Sequence, residues 1–461
     1  MTLAFAGGSA SALTVIESEA DWNALGGVAT DDLALRADIV FTAIPAPIDL
    51  GSYDFNGNHH SIRLPGGDFA GLFQVRGGTI RELNVDLGQA TLVEGAGAIV
   101  AGADEPGALY GTVVRCSVMG AQPISEKEIG GIVGRDFGRE DSRISACVSR
   151  LDIGAASDVG GIAGSGFLGT IEDSQMLGSI LQGQTSGGIL SNARFTEGST
   201  RILRSVMAGN IAGSNNGGIV GLGTGVTVVQ SLTSGSVAAG SENGAIVGNW
   251  LASRDGTVDL VLDSYAASTD GASAPLVGKV NYFFFTIEVR VKDSYTVSNT
   301  APVVGTLTGE SGGGTLILDG VYGGSAAFGT ADASWTVDDS GGYQPDDEAL
   351  LGTLGTDWSA GVWKATSDGL PQLKGFLDGI WTGYASHELP PMLPPHLSLQ
   401  VAAGSVTLSW PSFWADWTPQ ESQDVGANDW LDLSAEVVGD TTKTLSSPIS
   451  GRGACFYRLA L

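Results

Sequence analysis

The chain has 461 residues, 43% of them hydrophobic and 16% charged, with 70 glycines and a formal net charge of -28. The apolar fraction supports a buried core, so the glycine content does not read as disorder. The acidic balance repels phosphate backbones and anionic lipid, which excludes a nucleic-acid partner, and no run is apolar enough for a transmembrane segment.

Residues 1–36 read as a lead and cap. Ala10-Ser11-Ala12 is similar to the cleavage region of a signal peptide, though the basic start is missing, and the expected location is the cell surface or the medium. Leu13 to Ile16 has strand character. Glu17 to Leu25 carries Trp22 and Leu25 at helical spacing with Ser18 as N-cap. Such a lid shields the open strand edges of an end rung.

From Ala37 onward the strands are short and the turns frequent. Asp54 to His59 is a turn cluster whose Asn and Gly are expected to supply the positive-φ positions of a tight corner. Gly-Gly-Ile-Val-Gly at Gly130 to Gly134 then recurs. Copies start at 160, 187 and 217, with weaker ones at 244, 274 and 301, in steps of 30, 27, 30, 27, 30 and 27 residues. Earlier copies at Ala70 and Gly97 are 27 and then 33 residues from the next, which places an insertion in the loop around Ala121 to Glu128.

Each repeat has a second half, seen at Arg115-Cys116-Ser117, Ala146-Cys147-Val148, Arg204-Ser205-Val206, Asp263-Ser264-Tyr265 and Asp293-Ser294-Tyr295. The recurring small residue implies a tight cross-section, and the preceding β-branched runs read as strands. A unit of 27–30 residues with no helical pattern fits one rung of a right-handed parallel β-helix, with glycine at the bend and Ile-Val in the interior. About ten rungs at roughly 4.8 Å give a rod on the order of 50 Å. The all-β reading is completed by strand-like alternation in 397–461, a small β-sandwich of immunoglobulin or fibronectin type. It follows a Pro-rich linker at 376–396.

The Gly-Gly-Ile-Val-Gly unit followed by Asp-Ser-Tyr-Ala resembles the GLUG repeat of bacterial surface and secreted proteins. Ala37-Asp38-Ile39, Phe55 to Ile62, Gly71-Leu72-Phe73 and Ile80 to Leu83 resemble the phrase that precedes such repeats, with Asn56 and His59 departing from it. Trp358, Trp363 and Gly369 to Leu373 resemble its ending, so the likeness covers 37–375. It implies an adhesin- or haemagglutinin-like scaffold without catalytic residues. The C-terminal module is similar to those of secreted planctomycete and verrucomicrobial proteins, on Ser409-Trp410-Pro411, Trp417 to Ser422 and Phe456 to Leu459.

Four groups bear on chemistry. His59-His60, beside Asp54, Asn56 and Asn58, is a metal site only if more ligands converge, and otherwise a structural hydrogen-bonding corner. Cys116 and Cys147 take equivalent places on neighbouring rungs, which leaves a disulfide or two buried thiols, while Cys455 stands apart. Asp338, Asp339, Asp346, Asp347 and Glu348 form the densest carboxylate group, a calcium candidate or a solvated loop. No other cofactor is expected. Trp358, Trp363 and Trp381 are candidate glycan-stacking residues, or else packing for the cap and linker.

The favoured function is a non-enzymatic, exported structural or adhesive protein. Its expected partners are glycans or host and cell-surface proteins, or its own copies in an oligomer or filament. The alternatives are a polysaccharide lyase or hydrolase on the same scaffold, and a viral or phage spike. An enzyme needs clustered acids, or Asp-bound calcium with an Arg or Lys base, and the acids of rungs 130–305 read as scattered one per turn.

Overall fold

The computed structural model describes residues 13–344, apart from 194–199, 239–241, 252–255, 267–274, 283–285, 297–300, 311 and 324, together with eight strands between 363 and 460. The regular structure of the described residues is nearly all strand, with a single short helix, and winds into a parallel β-solenoid of about nine turns, close to the ten that the repeats imply. Every pairing among the named strands from Leu13 to Gln344 is parallel, each strand meeting its equivalent one turn away.

Each turn has three faces. Face one stacks Arg143–Ser145, Thr170–Glu172, Thr200–Leu203 and Val226–Val229. Face two stacks Val148–Ser157, Gln175–Met176, Val206–Met207 and Leu232–Thr233. Face three stacks Ala163–Phe167, Leu190–Ala193, Val220–Gly223, Val247–Leu251, Val277–Tyr282 and Val304–Gly309. Ile132, Ile162, Ile189, Ile219 and Ile246 are fully buried and fill the interior beside face three. A fully burying aliphatic side chain contributes about 1.5–3 kcal/mol, and the repeat supplies several per turn.

The corners are made differently from the expectation. Between faces one and two, Arg115, Ala146, Asp173, Arg204, Gln230, Asp263 and Asp293 adopt the left-handed conformation, with φ between 45° and 58°. Between faces two and three the same role falls to Glu128, Asp158, Thr185 and Asn215. The glycines of Gly130 to Gly134 do not have positive φ. They are required for clearance: a Cβ on Gly130 would overlap the Val133 carbonyl of the same bend, and one on Gly131 would overlap the Gly161 carbonyl of the next turn. Likewise at the first turn cluster, positive φ belongs to Asn58 and His59, while Gly57 clears the Glu82 carbonyl.

The insertion lies only in part where expected, since the strand pairing slips by one residue between Ile124 and Lys127. Ser117–Lys127 is nevertheless a strand, paired with Val148–Ser157, and not a loop. The other extra residues of that turn leave at 101–109, at the corner from face three to face one. There Arg139 stacks over the Tyr110 ring at 3.8 Å and its Nε donates to the Gly107 carbonyl at 3.1 Å, so loops of successive turns brace each other.

The N-terminal end is lidded by the helix Glu19–Ala24, N-capped by Ser18, whose Oγ accepts the Asp21 N–H at 3.2 Å. Trp22 packs beneath it, edge-on to Phe41 at 5.5 Å and against Phe73 at 5.4 Å. Beyond the solenoid, Trp363–Ala365 pairs antiparallel with Pro371–Leu373. Two three-stranded antiparallel sheets follow, Ser398–Ala402 with Ser405–Pro411 and Thr442–Pro448, and Leu431–Asp432 with Thr418–Ser422 and Phe456–Ala460. The Pro-rich run at 389–395 lies outside the described residues.

Candidate functional site

Polar groups gather in three places: the Asn56 to His60 corner, the buried columns at the later copies of that corner and at the corner from face two to face three, and a charged strip on the outer side of face one. At the first, Asn58 Nδ2 donates to the Leu35 carbonyl at 2.7 Å and the Asn58 N–H to Asn56 Oδ1 at 3.0 Å. His60 is buried, with Nδ1 3.4 Å from Asp38 Oδ1, and that oxygen also accepts the Ser61 N–H at 2.7 Å. His59 Nε2 lies 3.7 Å from Glu82 Oε2, one turn further along. The two imidazoles therefore serve opposite neighbouring turns and do not converge. Among the described residues no group of three or more His, Cys, Asp or Glu is placed to hold a metal.

The second place is the buried column at the small-residue position. The Ser174 N–H donates to Ser205 Oγ at 3.4 Å, Ser205 N–H to Ser231 Oγ at 3.2 Å, Ser231 N–H to Ser264 Oγ at 3.2 Å, and Ser264 N–H to Ser294 Oγ at 3.3 Å. Each hydroxyl passes its own proton to a carbonyl two residues back, as Ser205 does to Leu203 at 3.0 Å and Ser264 to Leu262 at 2.8 Å. Cys116 and Cys147 continue this column as free, buried thiols that approach the Val114 and Ser145 carbonyls at 3.4 Å. Burial, and then the Cys147 thiol beside it, push the Cys116 thiol well above its ordinary pKa. A shorter asparagine column runs parallel: Ser186 N–H donates to Asn216 Oδ1 at 3.0 Å and Asn216 N–H to Asn243 Oδ1 at 2.9 Å.

The third place was not foreseen. Glu172 sits between Arg143, which donates to Oε1, and Arg204, whose Nη2 is 3.3 Å from Oε2. Arg204 also binds Asp173 at 2.7 Å. Arg115 and Glu82 pair in the same manner one turn apart. Glu82 with Arg115, and Asp173 with Arg204, hold the same corner position in successive repeats, which is the signal that sequence reading could have used. The acids are also less scattered than expected. Asp293 loses hydration and faces Asp263 and Asp319 across adjacent turns, which raises its pKa against a smaller opposing effect of Lys292.

The remaining candidates stay separate. Asp338 and Asp339 lie on the strand Trp335–Gln344, and Asp338 Oδ1 accepts from Ser340 Oγ at 2.6 Å and Ser340 N–H at 3.1 Å, which holds its pKa down. Asp346, Asp347, Glu348, Trp358 and Trp381 lie outside the described residues, and Trp363 is placed only as part of a strand. No described helix is long and apolar enough to cross a membrane.

No family model and no curated protein matches the chain. Among solved structures, a crystal structure of a candidate immunoglobulin A1 protease from Bacteroides ovatus matches at 19% identity, covering 78% of this chain and 91% of its own, with a TM-score of 0.37. A likeness that slight transfers neither a fold nor an activity to this chain.

Proposed function

We propose that this is a non-enzymatic, exported structural protein, in which the β-helix acts as a rigid stalk with an adhesive lateral face. The observation that carries this reading is the use made of the polar groups. From Ser174 to Ser294, Ser186 to Asn243 and Arg143 to Asp173 they are spent on bonds between turns. Groups so engaged rigidify a rod and are poorly placed to act as free acids or bases. The resemblance to GLUG-repeat surface proteins points the same way. The partners proposed are glycans or cell-surface proteins bound along the outer faces, with self-association through the ends.

A glycan array probed with the full chain tests this. The reading expects retention on a subset of glycans whose masses are unchanged after incubation. Retention on no glycan removes the glycan-adhesive part of the proposal, and products released on the array remove the scaffold part.

A further inference from the structure

Three side chains from two successive turns meet on the outer side of face three. Asn249, in Val247–Leu251, and Lys279, in Val277–Tyr282, are direct partners across two parallel strands, so their side chains leave the same face about 4.8 Å apart. Glu242, from the approach to the same bend, bridges them. Its Oε1 is 2.7 Å from Lys279 Nζ and its Oε2 accepts from Asn249 Nδ2 at 3.0 Å. Since a carboxylate only accepts, the amide group facing it is the NH2, which turns the Asn249 carbonyl away. That oxygen, Oδ1, is buried without a hydrogen-bond partner. The site is sheltered: the Lys279 and Glu242 side chains keep 20% and 26% of their exposure.

An amine, a carboxamide and a carboxylate that touches the nitrogen of each are the parts of an amide-exchange reaction. We propose that Lys279 and Asn249 join through an intramolecular isopeptide bond, formed autocatalytically with Glu242 as proton carrier. Lys279 Nζ gives one proton to Glu242 Oε1 and, as the free amine, attacks Asn249 Cγ. The new Nζ–Cγ bond forms as the carbonyl electrons move to Oδ1. Glu242 then delivers its proton to Nδ2, the Cγ–Nδ2 bond breaks, and the carbonyl reforms. The remaining extra proton on Nζ passes through Glu242 to the departing ammonia, which leaves as ammonium. Charge and atoms balance with no oxidant or reductant. The product ties two adjacent turns covalently, 30 positions apart in the chain by subtraction of 249 from 279, and would prevent the solenoid from unzipping at that point.

Intact-mass spectrometry of the full chain, followed by peptide mapping, tests the proposal. The wild type is expected to be lighter than its sequence by the mass of one ammonia, with a branched peptide joining the Lys279 and Asn249 segments. Glu242→Gln and Lys279→Arg are expected to keep the full sequence mass, the second while retaining the cation beside Glu242. A wild type at full sequence mass, with Lys279 and Asn249 in separate peptides, overturns the proposal and leaves an ordinary ion pair. Ammonia loss without the branched peptide overturns it as well, because a cyclic imide elsewhere gives the same mass. Cross-linking that persists in Glu242→Gln overturns the role given to Glu242.

Discussion

Ser231 Oγ accepts the Ser205 N–H at 3.2 Å and donates to the Val229 carbonyl at 3.0 Å, so one hydroxyl joins two turns and closes its own corner. The corner residue before it, Gln230, has φ 51°. This left-handed step turns the chain and leaves the next N–H pointing along the rod axis toward a neighbour's hydroxyl.

Replacing Ser231 by alanine leaves the buried Ser205 N–H without an acceptor. The expected cost is about 1–3 kcal/mol, read as faster hydrogen exchange at Ser205 and a lower urea midpoint. Ser231→Cys should cost less, since Cys116 and Cys147 already occupy this column in earlier turns. Equal losses in both variants would show that the hydroxyl geometry, and not merely a small polar atom, is required.

Gly187→Ala should be more damaging than Gly313→Ala. A Cβ on Gly187 would overlap the Leu190 carbonyl, while one on Gly313 meets nothing within 4 Å. Overpacking against backbone costs about 1–3 kcal/mol, whereas alanine at an unstrained, open position is neutral or stabilising by about 0.4–1 kcal/mol. Thermal melts of the two variants give the comparison directly.

Asp293→Asn should stabilise the fold at neutral pH. Lost hydration and the carboxylates of Asp263 and Asp319 raise the native pKa of Asp293 above its unfolded value, so the native state holds the proton more tightly. Its contribution is therefore most favourable at pH values below the ordinary carboxylate range and declines as pH rises through the raised native pKa. Urea titrations across that range should show a smaller decline in the variant. An unchanged profile would mean that neither lost hydration nor the neighbouring carboxylates raise the native pKa of Asp293.

Cys116 and Cys147 should resist alkylation in the native protein and react only on unfolding, as both are buried and burial disfavours the Cys116 thiolate. Peptide mapping after iodoacetamide treatment distinguishes them from Cys455. Rapid native labelling of Cys116 would show that the column is open to solvent.

Much of the architecture was legible because the apolar column is periodic: Ile132, Ile162, Ile189, Ile219 and Ile246 announce one buried residue per turn. The corners were not. Arginine, alanine and glutamine carry no preference for the left-handed region, so Arg115, Ala146 and Gln230 gave no hint of their conformation, and the bend was credited to glycines that instead provide clearance. The 101–109 loop was missed because Ser117–Lys127 lacks the β-branched density of the other strands and was read as the whole insertion, although only one extra residue slips in between Ile124 and Lys127. The meeting of Glu172 with Arg143 and Arg204, and of Glu242 with Asn249 and Lys279, arises only when turns are stacked in register.

The scaffold reading is tested most directly by incubating the full chain in solution with a polysaccharide panel and with immunoglobulin A, and measuring the products. The account predicts that every polymer is recovered intact, with no new reducing ends, unsaturated sugars or cleaved chains. Products that accumulate in proportion to the added protein would contradict it.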